Sequence, residues 1–482
     1  MISVNNETDY RLIDQTRKLY IFFFISTLSL FIIIFLKLFL LTLEKDFKKE
    51  ITIQSTELKK LPSILDRNGN VLAYSDYNFS IYQDEDKFTY LNRNAPLDEI
   101  KKSIFTGKSN IKFEKILSRK YPYSEILNNF IGQVNIDQIG ISLLENKVNN
   151  FDEDMNLSID IQIQKLVHES LSKDVKNLNP DYALSVIVDL DKEAILSSVY
   201  LDNSDTHFDE SLLPLKDLTF EFGSVFKPFT VYSALNNNKL DLNEYFDVDQ
   251  PVYIGNKLVK DFSPSKIPYQ VKDILKQSSN RGAVLIRRKL DCQKEFKKDF
   301  ESLGLLNSTD IGFEMYSANP IVNPFRSSYC DNMPFGYGLS VSPIQLINAY
   351  GKIITGRMDF QAHIFKDNKI KKNKFNNISN TLNKLLFYAN ESNEELYNNF
   401  LIAGKTGTAD KKYEKGYFQN VTYVSYFPYN DPKYLSFTFM QNPRETYGPF
   451  MTAGNTVKHS FYNILRNIYM YLDLTILNTS NT

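Results

Sequence analysis

Residues 220–230 read FEFGSVFKPFT. Ser224 stands directly after Gly223, Lys227 follows three residues on, and Pro228 comes next. In the first turn of a helix, residues three apart share a face, with Cβ atoms about 5–6 Å from each other. Gly223 permits a sharp backbone turn before the serine. Pro228 is tolerated at a helix start, where the first amides lack partners anyway. The stretch is therefore either an ordinary helix start or a nucleophile beside its base. A serine hydroxyl needs a base, and a lysine with its usual pKa of about 10.4 is already protonated near neutral pH. Burial or a second cation would free the amine. The catalytic reading thus requires another cation in the site. The pattern alone decides nothing, because Ser-x-x-Lys also begins at Ser109, Ser170 and Ser263.

Lys405 is the candidate cation. It opens KTGTA (405–409), the one Lys-Thr-Gly of the chain. Gly407 would let a substrate approach a strand edge, and Thr406 and Thr408 offer hydroxyls to an anion. The plainer reading is a glycine kink in an ordinary strand. QSSNRGA (277–283) lies between the two motifs. Ser278 could relay a proton and Asn280 could hold a peptide amide, although Ser-x-Asn recurs at Ser3 and Ser317.

The rest of the chain sets the context. With 482 residues, 56 basic and 57 acidic, it can form two or more domains and has no basic excess that would favour nucleic acid. Cys292 and Cys330 are too few for a disulfide scaffold, and no Cys/His spacing suggests a metal site. A pair in an oxidising compartment and two buried thiols both fit. From Leu19 to Leu36 no residue is charged, and after Lys37 the apolar run continues to Leu43. That length crosses a hydrocarbon layer of about 30 Å. It exceeds a signal-peptide core and shows no small-residue cleavage site, so an uncleaved anchor is expected over 19–43. Arg11, Arg17 and Lys18 before it and Lys45, Lys48 and Lys49 after it leave orientation undecided.

SILDRNGNVLAYS (63–75) predicts a hairpin around a two-residue Asn68-Gly69 turn. Asp160 is placed to cap a helix with apolar residues at Ile161, Ile163, Leu166, Val167 and Leu171. Residues 182–190 and 194–200 read as one strand pair, 420–429 and 433–441 as another, and 456–474 as an amphipathic closing helix. Strands from both ends thus flank a helix-rich middle, which gives an α/β (α+β) domain with an antiparallel sheet. Residues 80–150 suggest a smaller irregular α+β domain, and KDNKIKKNK (366–374) a solvated loop.

The order of the motifs carries more than any one of them. Ser-x-x-Lys, then Ser-x-Asn, then Lys-Thr-Gly is the set of penicillin-binding proteins and serine β-lactamases. The chain resembles class B penicillin-binding proteins of the FtsI type, the septal peptidoglycan D,D-transpeptidases. The likeness extends through RKYPYSEILNNFIGQV (119–134), FGSVFKPFTVYSALNNNKLDLNEYFD, QSSNRGAVLI, MPFGYGLSVSPIQLINAYGKIITG, AGKTGTADK and MTAGNTVKHSF, in order. It covers roughly residues 61–472. Three departures stand out. Leu61-Pro62 replaces an Arg-Gly, Ser142 replaces the glutamate of a Gly-Ile-Glu, and Phe222 replaces a proline before the catalytic glycine.

The resemblance implies a cytoplasmic tail (1–18), a membrane helix (19–43), a periplasmic pedestal (44–153) and a transpeptidase domain (154–476) with a five-stranded antiparallel sheet. It implies that Ser224 is the nucleophile, Lys227 its base, Ser278 a proton relay, Asn280 a peptide ligand and Lys405 a positive charge. Thr406, Gly407 and Thr408 would bind substrate, and the amides of Ser224 and Thr408 would form the oxyanion hole. It further implies stem peptides as substrate, β-lactams as inhibitors, no cofactor, no metal, an inner-membrane location, and a polytopic SEDS glycosyltransferase (FtsW type) with other division proteins as partners. Rival readings are an elongation-type class B enzyme, a catalytically weak division scaffold, a class A enzyme, a serine β-lactamase and a β-lactam receptor. A Ser-His-Asp hydrolase is weaker still, since His168, His207, His363 and His459 lie in no triad setting.

Overall fold

The computed structural model describes residues 7–45, 60–84, 88–105, 111–203, 209, 211–413, 416–448 and 451–472. The chain divides into two units, 1–59 and 60–482. In the first, one helix runs Glu7–Lys45. Its Thr16–Phe39 stretch has a mean hydropathy of 2.7, and its length and composition suit a membrane crossing.

The second unit contains two five-stranded sheets. The N-terminal sheet centres on Val71–Asp84, which pairs with Ile64–Leu65, Phe88–Ala95 and Ile111–Lys120; Ile64–Leu65 also pairs in parallel with Met155–Asn156. The predicted hairpin forms with a longer turn than expected. Leu65 pairs with Val71, and Asp66 spans the loop by accepting from the amides of Asn68 and Asn70, both at 2.8 Å. A side-chain acceptor at the first loop position replaces the tight two-residue turn.

Beneath this sheet, Arg119 Nε lies 2.8 Å from Glu145 Oε1, with both side chains buried. Arg119 Nη1 also donates to Leu61 O and to Ser75 Oγ, each at 3.3 Å. The buried carboxylate of this region is thus Glu145. Ser142 instead accepts from the Gln133 amide at 3.0 Å.

The larger sheet is antiparallel and ordered Ala403–Tyr413, Gly416–Phe427, Tyr434–Gln441, Tyr182–Asp189, Ala194–Asp202. Successive side chains alternate between its faces. Val421, Tyr423 and Met440 pack with the helices Ile161–Leu178 and Val457–Ile468, while Val424, Tyr426 and Phe437 join the core that contains the Ser224 turn. Asp160 caps the first of these helices by accepting from Gln162 N and Ile163 N.

Phe222 is wholly buried, with its ring edge-on to Phe437 and Phe439 at 5.6 Å each. The 366–374 run is not simply solvated. Lys371 pairs with the buried Glu193, and its amide donates to Asp191 O. Cys292 and Cys330 form a disulfide with a Cα–Cα distance of 6.2 Å.

Candidate active site

Ser224 lies in the 3-10 turn Gly223–Phe226, which runs directly into the helix Lys227–Asn236. Gly223 has φ +66°, and a Cβ there would come within 2.5 Å of Thr408 O. Gly407 meets the same turn, since its Cβ would lie 2.4 Å from Phe222 O. Gly407 therefore seats the edge strand against the Ser224 turn. Tyr350 Oη donates to Val225 O at 2.7 Å and fixes the turn from the core side.

Lys227 is 1% exposed. Its Nζ lies 2.6 Å from Ser224 Oγ, 2.8 Å from Asn280 Oδ1 and 3.2 Å from Ser278 Oγ. Lys405, 4% exposed, places its Nζ 3.0 Å from Ser278 Oγ and 3.0 Å from Thr406 O. Five side chains from three distant segments thus form one hydrogen-bonded cluster. Burial, and then the nearby Lys405 ammonium, push Lys227 well below the usual lysine range, while Asp261 opposes the shift. Burial and Lys458 bring Lys405 down to about 7. The second cation demanded by the serine–lysine pair is therefore in place, and a third lysine stands behind it.

Ser278 has φ +54°, unusual for a non-glycine residue. The helix Asn280–Arg287 starts two residues later, and Asp261 anchors that start. Its Oδ1 accepts from Asn280 N at 2.5 Å and Arg281 N at 3.0 Å, and its Oδ2 accepts from Ser279 Oγ at 2.7 Å. A carboxylate at a helix N-terminus is favoured by the aligned peptide dipoles. Sequence reading missed Asp261, because its partners lie on a different element. It also missed Lys458, whose Nζ donates to Asn390 O at 3.3 Å. Asp261 lies in none of the segments that carry the resemblance, and Lys458, though inside MTAGNTVKHSF, is far along the chain from Lys405.

Thr406 and Thr408 alternate with Lys405 and Gly407 along the edge strand. Their side chains stand outside the five-residue cluster, and Thr408 Oγ1 accepts from Ala453 N at 3.2 Å. Thr408 O faces Gly223. A strand residue's N–H and C=O point to the same side, so the Thr408 amide also faces the Ser224 turn. His363 stacks on Phe365, with its Nδ1 2.9 Å from Phe365 O, and forms no triad with Ser224. His207 lies outside the described residues.

Residues 183–466 match the family model of the penicillin binding protein transpeptidase domain. The chain belongs to this family. The peptidoglycan D,D-transpeptidase FtsI of Buchnera aphidicola subsp. Baizongia pistaciae is 24% identical over 68% of this chain and 66% of its own length. The probable peptidoglycan D,D-transpeptidase PenA of Neisseria gonorrhoeae is 25% identical over 84% of this chain and 76% of its own. FtsI of Buchnera aphidicola subsp. Schizaphis graminum is 24% identical, over 76% and 73%. The chain thus spans just under two thirds of the first relative and about three quarters of the other two.

Proposed function

We propose that the protein is a serine D,D-transpeptidase that cross-links peptidoglycan stem peptides at the division septum. The observation that carries this reading is the Ser224–Lys227–Ser278–Asn280–Lys405 cluster, in which a buried lysine is held 2.6 Å from a serine hydroxyl. Ser224 Oγ attacks the carbonyl of the penultimate D-Ala and passes its proton to neutral Lys227. The negative charge that develops is met by the backbone amides of Ser224 and Thr408, each worth about 3–4 kcal/mol in sites of this kind. The peptide C–N bond breaks, and the departing D-Ala amine takes a proton through Ser278. Asn280 holds the donor amide. Lys405, with Thr406 and Thr408, draws the terminal carboxylate. An amine of a second strand then attacks the ester. A new C–N bond forms, the C–Oγ bond breaks, and Ser224 recovers its proton. A β-lactam would acylate the same serine.

Peptidoglycan lies outside the inner membrane, so this reading places residues 1–18 in the cytoplasm, 19–43 in the membrane, and the pedestal (44–153) and transpeptidase domain (154–476) in the periplasm. The Cys292–Cys330 bond suits that oxidising compartment. A SEDS glycosyltransferase of the FtsW type and other division proteins are the partners this role entails.

The test is fluorescent-penicillin labelling of the full-length protein beside Ser224→Ala. Persistent label on the parent and none on the variant is expected. No label on a folded parent would overturn the proposal, and rapid turnover of the label would indicate a β-lactamase.

A further inference from the structure

Thr408 Oγ1 accepts a hydrogen bond from Ala453 N at 3.2 Å. Ala453 is buried and opens the 3-10 turn Ala453–Asn455, which leads into the helix Val457–Ile468. A hydroxyl that accepts from an amide keeps its one hydrogen for a different partner. The Ala453 amide therefore fixes the rotor of Thr408 and sets its hydroxyl as a donor. A carboxylate, which only accepts, is the group that such a donor suits. The Thr408 backbone is held separately, through its pairing with Val421 on the next strand.

The Ala453 amide is itself held from two directions. Thr452 caps the turn. Its Oγ1 accepts from Asn455 N at 3.3 Å, and its carbonyl accepts from the buried Thr456 Oγ1 at 2.7 Å. The Asn455 carbonyl accepts in turn from Tyr447 N at 3.1 Å and from Thr446 Oγ1 at 3.0 Å. Tyr447 Oη donates to Asp174 Oδ1 at 2.6 Å. Asp174, 2% exposed, lies on the helix Ile161–Leu178, and Leu178 O at its end accepts from Arg444 N at 2.8 Å. The Thr408 hydroxyl is thus referred, through Ala453, to a helix on the sheet face opposite the Ser224 turn.

We propose that Thr452 and Tyr447 are positioning residues for Thr408, holding the Ala453 turn so that the Thr408 hydroxyl donates to the terminal carboxylate of the donor peptide. This rests on the transpeptidase reading above and gives a part in it to two residues outside its motifs. When the cap is lost, the Ala453 amide leaves Oγ1, the Thr408 rotor is freed, and its hydrogen turns to other acceptors. The cost falls on holding the carboxylate. The Ser224–Lys227 contact is made apart from this turn, so the chemical step is spared.

The test uses full-length protein in detergent and two N-acyl-D-alanyl thioesters of equal size. One carries thioglycolate, with its free carboxylate, and the other thioglycolamide. Thiol release gives kcat and KM for each, and fluorescent penicillin is applied to the parent in parallel. The parent is expected to favour the carboxylate donor. Thr452→Val should raise KM for that donor about fivefold, the worth of one hydrogen bond, with kcat and the carboxamide donor nearly unchanged. Tyr447→Phe, which removes only the bond to Asp174, should act in the same direction to a smaller extent. Thr452→Ser, which keeps the capping hydroxyl, should restore the parent KM. In a Thr408→Val background, Thr452→Val should add nothing, because changes that act through one group do not sum.

Equal losses on both donors, or a fall in kcat alone, would overturn the proposal and leave the turn a purely structural one. Losses that add in the Thr408→Val background would overturn it as well, as would a KM unmoved in both Thr452→Val and Tyr447→Phe. A parent that treats the two donors alike would also overturn it. All of these leave penicillin labelling of the parent, and so the transpeptidase reading, standing. A folded parent that penicillin does not label would overturn that reading, and this proposal with it.

Discussion

On the transpeptidase reading, a lysine amine with no carboxylate in contact serves as the base at Ser224, because its surroundings penalise the ammonium. Burial and Lys405 lower the Lys227 pKa, and Asp261 raises it. Acylation needs the neutral amine, so its rate should fall as pH drops through that lowered pKa. Asp261→Asn removes the opposing carboxylate, lowers the Lys227 pKa further, and should move the acid limb of the penicillin acylation profile to lower pH. An unmoved limb would mean that Asp261 does not act on Lys227. On the same reading Lys405 supplies positive charge to the substrate carboxylate, and its pKa is brought down to about 7. Donors with a terminal carboxylate should therefore bind more weakly as pH rises through about 7, seen as a rising KM. Lys458→Met removes a neighbouring positive charge, raises the Lys405 pKa, and should shift that rise to higher pH.

Among elements, the buried Arg119–Glu145 pair joins the strand Ile111–Lys120 to the helix Leu143–Val148, and through Leu61 O to the start of the folded unit. Removing one member leaves an uncompensated buried charge, which costs about 3–5 kcal/mol. Glu145→Ala should lower the unfolding midpoint accordingly, whereas exposed Asp98→Ala, at a surface pair with Lys101, should cost under about 1 kcal/mol. Equal losses would show that the pair is not a structural tie.

At the scale of the whole molecule, the site lowers the stability of the fold. A lysine whose pKa falls from 10.5 unfolded to about 7 folded releases its proton on folding between those values. Stability should rise with pH across that window and carry the full penalty below about 7. Lys405→Met should therefore raise the melting temperature by a few degrees at pH 6, less at pH 10, and on the proposed function it should also abolish cross-linking. A variant that melts lower at pH 6 would sink this account. Elsewhere the Cys292–Cys330 bond closes a loop of sequence separation 38. Replacing both with serine should cost about 2–4 kcal/mol, read as a lower midpoint under oxidising conditions only.

The sequence by itself determined the membrane-length apolar run, the antiparallel strand pairs and the identities of Ser224, Lys227, Ser278, Asn280 and Lys405. These are properties of local pattern and motif order. Apolar periodicity follows from which face is buried, and Asp160 caps a helix through its immediate neighbours. Tertiary structure decided what depends on distant segments meeting. Asp261 grips a helix start 19 residues away. Lys458 lowers the Lys405 pKa from the closing helix. Gly407 packs on the nucleophile turn, Glu145 is the carboxylate buried against Arg119, and the two cysteines bond. The shifts of Lys227 and Lys405 come from desolvation and neighbouring charge. Neither exists until the sheet edge, the nucleophile turn and the Asn280 helix close around the two amines.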